Sequence, residues 1–246
     1  MSAIHTSEAL VKVPLLLAHT VCTWIGKTPP LPPPPSDERE QFPNPDTLSL
    51  TIPFQRWFMI ASKCFLCAVP LAEVMVLIAQ HFPLTPTTDR LLTFLFRPAS
   101  GGSLRLTPLS AFACTLGITG GLIRFWCYRT LGRFFTWQVS VQREHKLVTD
   151  GPYVIVRHPG YTGAVLMNAG NILLLLSEGS YVVEAGWLQD GWGKAVVYGV
   201  IGYSAYISYS LIRRVPREDA MLRKEFGLQW REWTKRTPYC LIPFVY

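Results

Sequence analysis

Residues Trp57–Ile78 read WFMIASKCFLCAVPLAEVMVLI, and residues Lys194–Ile212 read KAVVYGVIGYSAYISYSLI. A helix that crosses a bilayer needs about 20 mostly apolar residues. The first stretch meets that length with Lys63 and Glu73 as its charged members, and the second carries no charge after Lys194. Three further apolar stretches follow the same logic: Ala9–Ile25, Leu109–Tyr128 and Tyr161–Leu176. Leu109–Tyr128 contains Gly117, Gly120 and Gly121, which allow helix backbones to approach closely. Tyr161–Leu176 is short and is expected to pair with Lys194–Ile212 as a helical hairpin. The fold class that follows is all-α: a polytopic integral membrane protein with about five transmembrane helices.

Composition supports this reading. Of 246 residues, 49% are apolar and only 16% charged, against roughly 25% charged in an average soluble domain. Those proportions exclude a disordered chain and argue against a typical soluble enzyme. The net charge is +7, but the positive charge is unevenly placed. Eight basic residues lie between Arg213 and Arg236, which reads as a cytosolic, headgroup-facing tail rather than a nucleic-acid surface. Arg129–Arg157 is basic too, whereas Ser177–Gly193 has no Lys or Arg and carries Glu178, Glu184 and Asp190. The tail and Arg129–Arg157 are therefore expected in the cytosol, with Ser177–Gly193 and the N-terminus on the other side.

Other features are assigned to the scaffold. Cys64 and Cys67 form a CxxC inside an apolar run, no second Cys/His pair has zinc-like spacing, and both are read as small packing residues, with no metal site. Glu8 precedes Lys12 and no small-residue cleavage site precedes TPPLPPPP, so the first apolar segment is expected to be a retained helix rather than a signal peptide. Residues 28–53 form a proline-rich loop. The chain divides into residues 1–128, the N-terminal transmembrane helices with this loop, and residues 129–246, a core holding the helix pair 161–212 and the cytosolic tail.

The chemistry concentrates in three clusters of the second half. Gly151-Pro152-Tyr153 precedes Arg157-His158-Pro159-Gly160-Tyr161, where two prolines restrict the backbone at the start of an apolar helix. Arg213-Arg214-Val215-Pro216-Arg217-Glu218-Asp219 follows the last apolar stretch, and on a helix Arg214 and Glu218 share a face. The tail from Met221 to Trp233 reads as an amphipathic helix broken near Gly227, followed by Lys235-Arg236-Thr237-Pro238-Tyr239 and Leu241-Ile242-Pro243-Phe244.

In this order the clusters resemble the isoprenylcysteine carboxyl methyltransferase family, over roughly Phe135–Phe244. The resemblance implies an integral membrane enzyme with a cytosolic C-terminal cofactor-binding region. It implies S-adenosylmethionine as cofactor, the C-terminal prenylcysteine of processed CaaX proteins as substrate, the lipid bilayer as partner, and the endoplasmic reticulum membrane as location. It places cofactor contacts on Gln138, His145, Lys146, Leu147, Val148, Tyr153, His158, Pro159, Gly160, Tyr161 and Glu218, and the substrate carboxylate on Arg214 as the catalytic residue. Asp219 stands where the family has Glu, and Trp230 and Trp233 where it has tyrosines. The stretch Ser177–Gly193 is longer than the family's short turn. Two rival readings remain: methylation of a phospholipid amine or other small lipid at the same cofactor site, and a non-catalytic membrane scaffold.

Overall fold

The computed structural model describes residues 2–28, 30, 53–81, 103–135 and 146–245. Most of the proline-rich loop, together with Gln138 and His145, lies outside the described residues. Among the described residues six α-helices occur in chain order: α1 (Ser2–Gly26), α2 (Pro53–His81), α3 (Pro108–Leu131), α4 (Pro159–Leu176), the short α5 (Tyr181–Glu184) and α6 (Gly191–Arg236). Two 3-10 turns, Gly132–Phe134 and Gly151–Val154, flank the link between α3 and α4. Among the described residues there is no strand. Helices α2, α3, α4 and α6 are long and apolar enough to cross a membrane, and the apolar part of α1, Leu10–Gly26, is shorter. The protein is a polytopic, all-helical membrane protein, as its apolar stretches require.

Local sequence explains the helix ends. Thr107 and Ser110 form a reciprocal capping box at the start of α3, with Pro108 in the first turn. Pro159 opens α4, directly after His158. The Asp190 carboxylate accepts from the Gly193 amide at the start of α6. Inside α6, Gly227 has φ +48°, a left-handed conformation that favours glycine and breaks the helix at the expected place.

Glycine contacts set the packing. A Cβ on Gly170 of α4 would lie 2.5 Å from the Gly117 amide nitrogen of α3, and one on Gly163 would lie 2.7 Å from the Gly120 carbonyl oxygen. On another face of α3, a Cβ on Gly121 would lie 2.6 Å from Cys22 Cβ of α1. Helix α3 is thereby wedged between α1 and α4, and α3 with α4 forms the most extensive helix pair. The expected hairpin partner of α4, α6, does touch it through Ala164, Tyr161, Ile207 and Leu211, but less extensively than α3 does. Close backbone approach wins because glycines on both α3 and α4 remove the side-chain spacer.

Two smaller expectations are corrected. Cys67 is buried, its Sγ 3.9 Å from the Thr20 carbonyl of α1, whereas Cys64, one turn back and about 60° round the helix, is exposed. The stretch Ser177–Gly193 is not an open loop. It contains α5, buries Tyr181 and Val182, and is pinned by a buried ion pair between Lys12 of α1 and Glu73 of α2. Lys12 Nζ also donates to the carbonyls of Arg105 (3.0 Å) and Gly179 (2.8 Å), and Glu73 accepts from the Tyr181 amide at 3.1 Å.

These contacts fix the helix directions. Lys12, early in α1, lies beside Arg105, just before α3, and Gly179, just after α4. Gly26, ending α1, accepts hydrogen bonds from Arg124 and Tyr128 near the end of α3, and Arg124 also donates to Gly160 at the start of α4. The spanning helices therefore run alternately up and down. One end of the bundle holds residues 177–193, and the other gathers Gly26, Arg157–Tyr161 and the polar part of α6.

Candidate functional site

At that second end, α1, α2, α3, α4 and α6 enclose a cavity of about 200 Å³. Pro159 starts α4 and holds His158 and Tyr161 at its mouth. The rings of His158 and Tyr161 stack, with centroids 5.6 Å apart and planes 6° from parallel. From α6, Arg214 and Glu218 reach the same place one turn apart, with Arg214 Nε 3.9 Å from Glu218 Oε2. The Tyr161 hydroxyl donates to Glu218, and the Arg214 guanidinium lies 5.8 Å from the Tyr161 ring centre. Arg214 is 6% exposed. A planar cation, a carboxylate, a phenol and an imidazole thus converge at the edge of an apolar bundle.

An outer layer holds the imidazole. His158 Nε2 lies 2.9 Å from Asp219 Oδ1; an ionised carboxylate only accepts, so Nε2 carries the proton. Arg157 Nη2 donates to the other Asp219 oxygen at 3.0 Å, and Arg157 Nη1 donates to the Pro238 carbonyl at 2.7 Å. The amides of Arg157 and His158 donate to the carbonyls of Tyr239 and Cys240, both at 2.9 Å. Thr162 Oγ1 donates to the Leu241 carbonyl at 2.7 Å. The tail after α6 therefore runs back along the start of α4 and closes the base of the site.

Trp233, 3% exposed, donates from Nε1 to the Tyr153 carbonyl at 3.3 Å. Burial, then the proximity of Cys127 and Glu218, pushes the Tyr153 phenol well above its ordinary range, so it stays protonated at physiological pH. Burial likewise raises the Cys240 thiol, against the opposing pull of Arg157.

Of the residues expected at the site, Lys146, Leu147, Val148, Tyr153, His158, Gly160, Tyr161, Arg214 and Glu218 line this cavity. Pro159 is buried and does not line it; it shapes the backbone instead. Gln138 and His145 lie outside the described residues. Sequence reasoning missed the contribution of the N-terminal helices: Lys27 beyond α1, Gln55, Met59 and Ser62 of α2, and Arg124 of α3 are on the wall. A lone Lys after an apolar run carries no signal of its own. Arg157 and Asp219, by contrast, stood inside the motifs, but their pairing across 62 residues emerges only in the structure.

The fold and site define a class: a helical membrane protein whose cavity opens at one end of the bundle beside an Arg–Glu pair and a docked tail. The isoprenylcysteine carboxyl methyltransferase (ICMT) family matches residues 113–185, from the second turn of α3 to just past α5, and so overlaps the motif-bearing stretch over residues 135–185. The chain is 32% identical over 139 residues to protein-S-isoprenylcysteine O-methyltransferase B of Arabidopsis thaliana, covering 56% of this chain and 60% of the relative. It is 27% identical over 130 residues to a probable protein-S-isoprenylcysteine O-methyltransferase of Oryza sativa subsp. indica, covering 52% and 58%. It is also 28% identical over 109 residues to Delta(14)-sterol reductase erg24 of Schizosaccharomyces pombe, covering 44% of this chain and 21% of the relative. The chain thus spans about three-fifths of the length of the curated methyltransferases it matches. No solved structure matches it.

Proposed function

We propose that this protein transfers a methyl group from S-adenosylmethionine to the carboxylate of a C-terminal prenylcysteine, forming a methyl ester. The observation that carries the reading is the buried Arg214 beside Glu218 and Tyr161 on the wall of a cavity between membrane helices. A prenylated protein end is amphiphilic: its carboxylate needs a cation, and its tail needs an apolar path.

The cavity suits the cofactor. Glu218 offers a carboxylate to the cofactor's ammonium group, and Leu147, Val148, Met221, Leu222 and Trp233 offer apolar surface to its base. S-adenosylmethionine, when bound, supplies a methyl group on a positively charged sulfur. The acceptor carboxylate is ionised at neutral pH, so no residue has to act as general base. Arg214 orients that carboxylate through its planar fork. Glu218 and the Tyr161 ring hold the fork in place, and His158, fixed by Asp219, shapes the pocket. The low-dielectric surroundings favour reaction between opposite charges, and alignment of acceptor and donor is the main task left to the protein. An amine acceptor would gain nothing from Arg214, which weighs against the phospholipid-amine reading.

The basic tail supports a cytosolic location for this end of the bundle, where the cofactor is available, and the reading implies the endoplasmic reticulum membrane. The test is methyl transfer from labelled S-adenosylmethionine to N-acetyl-S-farnesylcysteine in membranes that contain the protein. A base-labile methyl ester, lost in Arg214→Lys while cofactor binding persists, is the expected result. Normal turnover in Arg214→Lys refutes the role of Arg214. Cofactor binding without any ester refutes the prenylcysteine acceptor, and absence of both leaves a scaffold.

A further inference from the structure

The inner part of the cavity is polar where a path for a hydrocarbon tail alone would be apolar. Lys27, one residue beyond α1, donates from Nζ to Asn168 Oδ1 of α4 at 2.8 Å. Asn168, 1% exposed, in turn donates to Ser208 Oγ of α6 at 3.0 Å. This chain ties α1, α4 and α6 together and fixes where the ammonium points. Gln55 and Ser62 of α2 lie on the same wall. Asn168 is seven residues beyond Tyr161, almost two full turns, so both share one face of α4 about 10 Å apart. Ala164, Met167, Ile207 and Leu211 line the cavity between the two polar ends.

Lys27 is a cation without an acid. Among the described residues no carboxylate pairs with it, and its bond to Asn168 uses one of its three donors. Its charged and titratable neighbours are Arg124 of α3 and Cys67 of α2; burial and Arg124 lower its pKa to about 8. An isolated ammonium in an apolar bundle is costly unless an anion neutralises it. Lys27 also sits where α1 leaves its apolar run, and positive charge at such a boundary attracts anionic lipid headgroups.

We propose that Lys27 and Asn168 form an oxyanion subsite, separate from the Arg214 cluster, that takes the phosphate of a lipid headgroup at the inner end of the cavity. The apolar lining beside it receives the start of the lipid's chains. Lys27 lies outside the family-matched stretch and Asn168 within it; the subsite does not depend on the methyl-transfer reading. The shared chemistry is a phosphate oxyanion, carried either by an amphiphile or by a soluble phosphate.

The test is calorimetric titration of the full chain in dodecyl maltoside micelles with dodecyl phosphate and, separately, inorganic phosphate. Dodecyl phosphate is expected to bind the wild type at least ten-fold more tightly than inorganic phosphate. Affinity should fall at least ten-fold in Lys27→Met and persist in Lys27→Arg and Arg214→Ala. In the wild type it should decline as pH rises through about 8, because the ammonium loses its proton there while the phosphate only gains charge. This wild-type titration needs no variant and so is independent of any folding defect. Equal affinity in Lys27→Met, loss in Arg214→Ala, or no decline above pH 8 overturns the subsite. Equal affinity for inorganic phosphate overturns the lipid assignment. Methylation of N-acetyl-S-farnesylcysteine by the wild type is a separate readout, so the two readings fail separately.

Discussion

Removing one member of the Lys12–Glu73 pair should damage the protein more than removing both. The two side chains are 0% and 1% exposed, so neither charge can turn to solvent. Glu73→Gln keeps the shape and still accepts from the Tyr181 amide, but it leaves the ammonium of Lys12 with only the carbonyls of Arg105 and Gly179. Stranding a buried charge in this way costs about 3–5 kcal/mol, a factor of a hundred to several thousand in the folded population. The double variant Lys12→Met/Glu73→Leu removes both charges and replaces them with apolar volume, and exchanges of this kind are often neutral or stabilising. It does give up the bonds to Arg105, Gly179 and Tyr181, at about 1 kcal/mol each, so a net cost of about 1–3 kcal/mol is expected. The assay is unfolding in mixed micelles by increasing mole fraction of sodium dodecyl sulfate, compared across wild type, both singles and the double. A double variant as destabilised as the sum of the two singles would refute the argument. Because the pair lies at the end of the bundle away from the cavity, cofactor affinity per folded molecule should not change.

Three further outcomes are expected. Glu218→Ala removes the carboxylate assigned to the cofactor's ammonium group, and calorimetry should show cofactor affinity down at least ten-fold, as for a charge-assisted hydrogen bond of about 1.5–3 kcal/mol; unchanged affinity removes the assignment. Gly120→Ala forces a methyl group to within 2.5 Å of the Gly163 carbonyl oxygen and should cost about 1–3 kcal/mol, read as a lower unfolding midpoint, whereas Gly191→Ala, with open space around it, should not. Asp219→Asn weakens the hold on both His158 and Arg157, and should speed proteolysis after Arg236 and raise the cofactor KM more than it lowers kcat; an unaltered cleavage rate would detach Asp219 from tail docking.

The helices were legible because a bilayer imposes length and apolarity on any segment that crosses it, and Trp57–Ile78 and Lys194–Ile212 satisfy both at sight. The backbone restriction at Pro159 and the break at Gly227 were equally local. Which helices pack together was not local. Glycines on α3 were visible as packing residues, but their partners Gly163 and Gly170 on α4 emerge only when the two backbones meet. The same holds for the cavity. Its C-terminal wall follows from the motifs, because GPY, RHPGY and RRVPRED are short and chemically marked. Its other wall comes from α1 and α2, where Lys27 and Met59 are ordinary residues until three-dimensional contact gives them neighbours.

The docking of residues 237–241 on Arg157, His158 and Thr162 bears on biosynthesis. A nascent chain inserts its spanning helices one after another as they leave the ribosome, yet the backbone donors of Arg157 and His158 gain their partners only once Tyr239 and Cys240 have emerged. Until then the pocket lacks its base, and a translation product arrested before Thr237 would be inserted in the membrane but incomplete at its working end. Membrane insertion and maturation of the site are therefore separable events, and a quality-control factor that probes only insertion would pass chains that had not yet finished folding.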